Sequence, residues 1–126
     1  MRFVLWVVMM IDKVEFGKIV IQGREYSHDV VLYPSGKAER RKKWISKEKY
    51  GTSHKLDPEE LKEYLKEDFE VLVVGTGIYG MLSLLPESKK LIEGKEIIER
   101  PTPEAAQLFN ELREKKKTLA IFHITC

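Results

Sequence analysis

After residue 56, helix-start signals alternate with short apolar runs. One run, Val71–Val74, is apolar throughout, and before it lie two stretches of strand-like pattern that end in turns. Together these predict an α/β fold: a mixed central sheet with an N-terminal antiparallel hairpin and flanking helices. At 126 residues and 43% hydrophobic content, the chain has the size and apolar share of one domain spanning 1–126.

Phe3 to Ile11 are nine apolar residues behind Arg2, too few to span a bilayer. Charged Asp12, Lys13 and Glu15 follow where a signal peptide would place small residues. Residues 1–9 therefore read as an N-terminal extension and an extra strand. Both of its alternating faces are apolar, which favours burial at a subunit interface and hence a homodimer. From Val14 to Ile21 the apolar residues alternate up to a turn at Gln22-Gly23, and Tyr26–Tyr33, ended by Pro34-Ser35-Gly36, reads as the second arm. Asp57-Pro58-Glu59-Glu60 supplies an N-cap, a first-turn proline and first-turn acids for a helix reaching about Lys66. The Val71–Val74 run is a strand buried on both faces, ended by Gly75. Pro86 opens a helix through about Ile92, Gly94 closes it, and Glu96–Glu99 is a short strand. Thr102 is the expected cap of the last helix, with Ala105, Leu108, Phe109 and Leu112 on one face; Thr118–Thr125 is the last strand.

The charge balance, 22 Lys and Arg against 20 Asp and Glu, leaves +2, so no overall field argues for nucleic acid or membrane. Locally, residues 37–55 carry eight basic side chains against Glu39 and Glu48, with Trp44 and Tyr50 among them. Aromatics amid cations are equipment for nucleic acid, but residues 56–70 follow with seven acids, and an adjacent acidic segment more often pairs with such a run. Nucleic-acid binding is therefore unfavoured. The single cysteine, Cys126, excludes an intrachain disulfide and fits a reducing, cytoplasmic location. The Lys- and Glu-rich, amide-poor composition resembles proteins selected for heat. Three histidines and one cysteine without ligand spacing predict no metal, and no cofactor is expected.

Gly75-Thr76-Gly77-Ile78-Tyr79-Gly80 satisfies G-x-G-x-x-G directly after a buried strand. A dinucleotide site needs the last glycine to open a helix, yet Pro86 follows too soon for one and too little chain remains for the other strands. The motif reads first as a structural turn, and second as the wall of another small site. Candidate ligand-binding residues are then Gly75, Thr76, Gly77 and Gly80, with His54 and His123. Strand alternation puts His123 and Thr125 on one side and Cys126 on the other, so His123 and Cys126 are no ready thiol–imidazole pair. Asp29, if it faces the core, needs hydrogen-bond partners and becomes a latch. No catalytic constellation emerges.

Phe16-Gly17-x-Ile19-x-Ile21-x-Gly23, Tyr26 with Asp29, His54, Val74-Gly75-Thr76-Gly77-x-x-Gly80, Thr102-x-x-Ala105, Asn110 and His123-x-Thr125-Cys126 occur in an order that resembles one family. It is the small domain of unknown function shared by prokaryotic proteins, a mitochondrial complex I assembly factor and an adipogenesis-associated animal protein. The resemblance implies a three-layer fold around a mixed sheet, no established catalysis, and action through protein partners. The extension before Met10 departs from the pattern. Three readings follow: a non-enzymatic domain acting by protein contacts, such as complex assembly; a small-ligand binder or enzyme using the glycine turn; and nucleic-acid binding through 37–55.

Overall fold

Apolar, largely β-branched sequence builds the centre of the molecule. In the computed structural model, which describes residues 10–126, every residue of Val71–Thr76 (β7) and Thr118–His123 (β10) is buried. The expected strand at 3–9, and the dimer contact built on it, lie outside the described residues. The two central strands pair in parallel from Thr118 opposite Val71 to His123 opposite Thr76. Val30–Leu32 (β4) adds antiparallel to β10, Ala38–Arg40 (β5) antiparallel to β4, and Glu96–Arg100 (β9) parallel to β7. The result is a mixed five-stranded sheet in the order β5-β4-β10-β7-β9.

The N-terminal hairpin is a three-stranded antiparallel sheet, Ile11–Glu15 (β1), Lys18–Ile21 (β2) and Arg24–Tyr26 (β3). The stretch 14–21 is not one strand, because Phe16-Gly17 turns the chain with Gly17 at φ +80°. The expected second arm, 26–33, is shared between β3 and β4, which belong to different sheets. Trp44–Tyr50 (α1) is a helix that basic composition alone did not announce. Two-residue strands Lys55–Leu56 (β6) and Ser83–Leu84 (β8) pair in parallel beside it. Pro58–Lys62 (α2) starts with Asp57 accepting a bond from the Glu59 amide, as its sequence demands. Pro86–Leu91 (α3) and Thr102–Leu112 (α4) complete the set.

Alternation along the strands sorts the core into two layers. Val71, Val73, Ala120 and Phe122 pack with Ile19 and Ile21 of the small sheet and with Ala105 and Phe109 of α4. Leu72, Val74, Leu119 and Ile121 pack on the other face with Leu56, Leu61, Tyr64 and Ile92. The sheet is thus the middle of three layers. Asn110 on α4 ties the small sheet to it, accepting from the Ile11 amide at 2.8 Å and donating to the Ile11 carbonyl at 3.0 Å. The chain leaves β7 through α3 on one face to reach β9, then returns through α4 on the other face to β10, on the opposite side of β7. The carboxyl ends of β7 and β10 therefore flank a topological switch point, where open α/β sheets leave a crevice.

Thr102 does not cap α4. It is the first helical residue, Pro101 occupies the cap position, and no side chain caps it. The fully buried Thr102 hydroxyl instead donates to the His123 carbonyl at 2.5 Å and accepts the Gly77 amide at 2.8 Å. Thr102→Val keeps the shape but strands both groups, so it is expected to cost about 2–4 kcal/mol, with Thr102→Ser near wild type. Urea unfolding of the two variants measures this. A valine variant within about 0.5 kcal/mol of wild type would remove the bridge from the list of stabilising contacts.

Candidate functional site

The predicted site residues do converge, on the switch point. Gly75 and Thr76 end β7; Thr76 is buried and level with His123 on β10. A Cβ on Gly75 would lie 2.9 Å from both Phe122 Cδ1 and Thr102 Oγ1, so glycine there permits the close approach of α4. The remainder of the turn wraps the chain's own last residues. Ile78 donates to the Thr125 carbonyl at 2.7 Å, and Tyr79 and Met81 donate to the Cys126 carbonyl at 3.2 and 3.0 Å. Gly17 donates to the Ile124 carbonyl from the other side at 2.7 Å. Amides of the turn that could meet a phosphate are thus bound to protein oxygens, that of Gly77 to the Thr102 hydroxyl and those of residues 78–81 to carbonyls, and residues 124–126 lie in the crevice.

His123 is 2% exposed and sits at the centre. Its Nδ1 lies 2.7 Å from Asp29 Oδ2, and its Nε2 lies 3.4 Å from Thr125 Oγ1. The half-buried His54 ring meets it edge to face at 5.3 Å. Asp29 also accepts the Ile124 amide at 3.0 Å and Arg41 Nη1 at 3.0 Å, which makes it the latch between β10 and the basic segment. Burial pushes the Asp29 carboxyl up, but the His123 hydrogen bond and attraction, the Ile124 amide and Arg41 together hold it below its ordinary value. Burial, then the electrostatics of His123 and Arg41, pushes the His54 imidazole down.

Behind Asp29 lies a buried polar network that composition did not reveal. Arg41, 1% exposed, donates through Nε and Nη2 to both oxygens of fully buried Glu60 at 2.7 and 3.1 Å, and through Nη2 to the Ser53 carbonyl at 2.7 Å. Glu60 also accepts Ser46 at 2.6 Å and Tyr64 at 2.7 Å. The basic and acidic segments pair further at Lys42–Glu63 and Lys49–Asp57. Arg41 looks like its neighbours in the basic run. The one legible signal was the acidic segment downstream, which anticipated pairing but not burial.

The two lowered pKa values act in the same direction. A folded-state pKa below the unfolded one means the unfolded chain binds more protons, so stability falls as pH falls through the interval between them. Melting temperature is expected to drop first below about pH 6.5, as His54 resists protonation, and again below about pH 4, as Asp29 does. His54→Asn should abolish the upper step alone. Identical profiles for variant and wild type would show that His54 has no such linkage.

A cavity of about 210 Å³ lies at the other end of the sheet, beside Glu70 and Thr118, lined by Tyr33, Phe109 and Arg113 and by none of the predicted site residues. Among the described residues no cluster of three or more His, Cys, Asp and Glu side chains could hold a metal ion, and no helix is long and apolar enough to cross a membrane.

A three-layer α/β domain with its switch-point crevice filled by its own chain defines the architectural class. Within that class, the chain belongs to the family described as protein of unknown function (DUF498/DUF598), which it matches over residues 11–123. It is similar to a conserved hypothetical protein from Pyrococcus horikoshii OT3, with 67% identity over 94% of this chain and 100% of that one, TM-score 0.92. It is also similar to the protein called MT938, at 37% identity over 93% of this chain and 98% of that one, TM-score 0.81. An Mth938-like domain from Bordetella pertussis shares the fold at 16% identity, covering 98% and 91%, TM-score 0.61. No curated protein matches the chain.

Proposed function

We propose that the protein is a non-enzymatic binding module that acts through contacts with another protein, as in the assembly of a larger complex. The observation that carries this reading is the seam around residues 124–126. Its backbone amides are already satisfied, while Phe16, Tyr79 and Met81 beside it are 56%, 72% and 55% exposed. The Phe16 and Tyr79 rings lie 6.0 Å apart. Aromatic residues and methionine are the types enriched in protein interfaces, and exposed apolar groups gathered at one place mark a contact surface. The resemblance to an assembly factor supports the same reading, and the lone cysteine suits a cytoplasmic setting. The test compares proteins captured in the native cell by wild type and by a Phe16→Ser, Tyr79→Ser, Met81→Ser variant of equal melting temperature. Selective loss of a captured protein is expected; an unchanged set would defeat the reading.

A second reading, a small-ligand binder or enzyme, is favoured by one observation: His123 is oriented by Asp29 with its Nε2 3.4 Å from the Thr125 hydroxyl and its ring against that of His54. An acid–imidazole–hydroxyl series is the arrangement that activates a nucleophile. Against it, the nearby amides that would stabilise an oxyanion are held by Thr125 and Cys126. Hydrolysis of an activated ester that disappears in His123→Asn would favour this reading over the first. Nucleic-acid binding through 37–55 has the least support, since Arg41, Lys42 and Lys49 are already paired with acids.

A further inference from the structure

The central sheet ends on β9, and that edge is built differently from the others. Among the described residues β9 pairs only with β7, so the backbone groups of Ile97 and Glu99 face outward, and of these only the Glu99 carbonyl is engaged, by exposed Arg100 Nη1 at 2.8 Å, a bond that pairing with a second strand would replace. The remaining edges are blunted. β5 and β3 are three residues long. β1 carries a register irregularity between Ile11 and Lys13, exposes Asp12, Lys13 and Glu15, and gives the amide and carbonyl of Ile11 to Asn110. β9 instead presents five residues, Glu96-Ile97-Ile98-Glu99-Arg100, with both isoleucines only partly buried.

The end charges of β9, Glu96 and Arg100, fit the strand's own reverse, with Glu99 falling opposite Ile97. Glu96, Ile98 and Arg100 share the face turned to α4: Ile98 joins that core layer, Arg100 pairs with Glu104 at 3.0 Å, and Glu96 pairs with Lys116 at 3.0 Å. Ile97 and Glu99 take the other face, where Glu99 accepts the Leu84 amide and pairs with Lys89. If the strand is laid antiparallel on a second copy about a twofold axis at Ile98, Glu96 stands opposite Arg100 of the second copy and Arg100 opposite its Glu96. The two isoleucines at position 98 meet in the middle. Opposite charges and β-branched pairs are the favourable cross-strand combinations, and a twofold interface requires this self-complementarity. The pairs to Glu104 and Lys116 are exposed, and exposed pairs are weak enough to exchange.

We propose that β9 pairs antiparallel with β9 of a second copy, joining the two central sheets into one continuous sheet across a twofold axis at Ile98. The contact is independent of the Phe16–Tyr79 seam. It is short, about 17 Å of strand, so the dimer forms reversibly with concentration.

Sedimentation velocity of the full chain from micromolar to near-millimolar concentration tests it. Wild type is expected to dimerise. Glu96→Arg and Arg100→Glu should each weaken association roughly tenfold or more, because each puts like charges opposite one another. Mixing the two single variants should restore association as a heterodimer, and the double reversal should restore the homodimer. Recovery on mixing cannot come from chains that fail to fold, so the outcome is separable from damage to the fold. A chain that stays monomeric throughout overturns the proposal, as does a dimer indifferent to the reversals or a mixture that does not recover. A dimer lost only on removing residues 1–9 would assign the contact to that segment and equally overturn it.

Discussion

Arg41→Met is expected to lower stability by about 3–5 kcal/mol, a large share of the roughly 5–15 kcal/mol that holds an ordinary domain together. The guanidinium is 1% exposed and is the cation shared by Asp29 and Glu60, which are themselves 6% and 0% exposed. Removing it leaves buried Glu60 with no cation, only the Ser46 and Tyr64 hydroxyls, and leaves Asp29 to His123 and the Ile124 amide, so Glu60 in particular must take up a proton or water. Arg41→Lys should recover only part of the loss, because an ammonium cannot present the fork that reaches Glu60 Oε1, Glu60 Oε2 and the Ser53 carbonyl together. Arg41→Met combined with Glu60→Leu should be more stable than Arg41→Met alone, since one uncompensated charge has gone. Urea denaturation of the three variants orders them. If the single methionine variant melts within about 1 kcal/mol of wild type, the network is ornamental and Asp29 is held by His123 and Ile124 alone.

That network also marks the limit of what the chain says as a string. Apolar runs and repeats located β7, β10 and α4, because their side chains face a core through one or both sides, whereas α3, whose only buried residue is Ser88, and the short β9 after it were legible from Pro86 and Gly94. Periodicity merged β1 with β2, because Phe16 keeps the apolar alternation going through a turn that Gly17 makes possible. It passed over α1, whose only buried residue is Ser46 and which therefore has no apolar stripe to detect. The candidate site was legible as to place and not as to use. Glycine spacing drew attention to residues 75–80, yet whether their amides face a ligand or a carbonyl depends on where residues 124–126 return in space. Thr102 shows the same gap: threonine before Pro-Glu is a good cap by local rules, and only the approach of β7 and β10 turns its hydroxyl into a bridge between them.

Gly77→Ala is the sharpest test of that turn, with an expected cost of about 2–6 kcal/mol from two additive causes. Gly77 has φ +105°, a conformation that side chains with a β-carbon rarely adopt and that costs on the order of 1–3 kcal/mol to impose. A Cβ there would also lie 2.6 Å from the Cys126 carbonyl oxygen and 2.8 Å from His123 Cδ2, closer than such contacts can be. Neither neighbour is free to give way. The Cys126 carbonyl is held by the amides of Tyr79 and Met81, and the His123 ring by Asp29. Overpacking of a fixed site adds about 1–3 kcal/mol unless the seam opens. Gly80→Ala is the control, because Gly80 also has positive φ, +69°, but its nearest contact would be an ordinary 3.6 Å to Thr76 Oγ1. It should cost only about 1–2 kcal/mol. If Gly77→Ala opens the seam instead of straining it, Cys126, now half-buried, should react faster with a thiol reagent in that variant than in Gly80→Ala. Equal denaturation midpoints together with equal thiol reactivity would mean that the return of residues 124–126 does not dictate glycine at position 77.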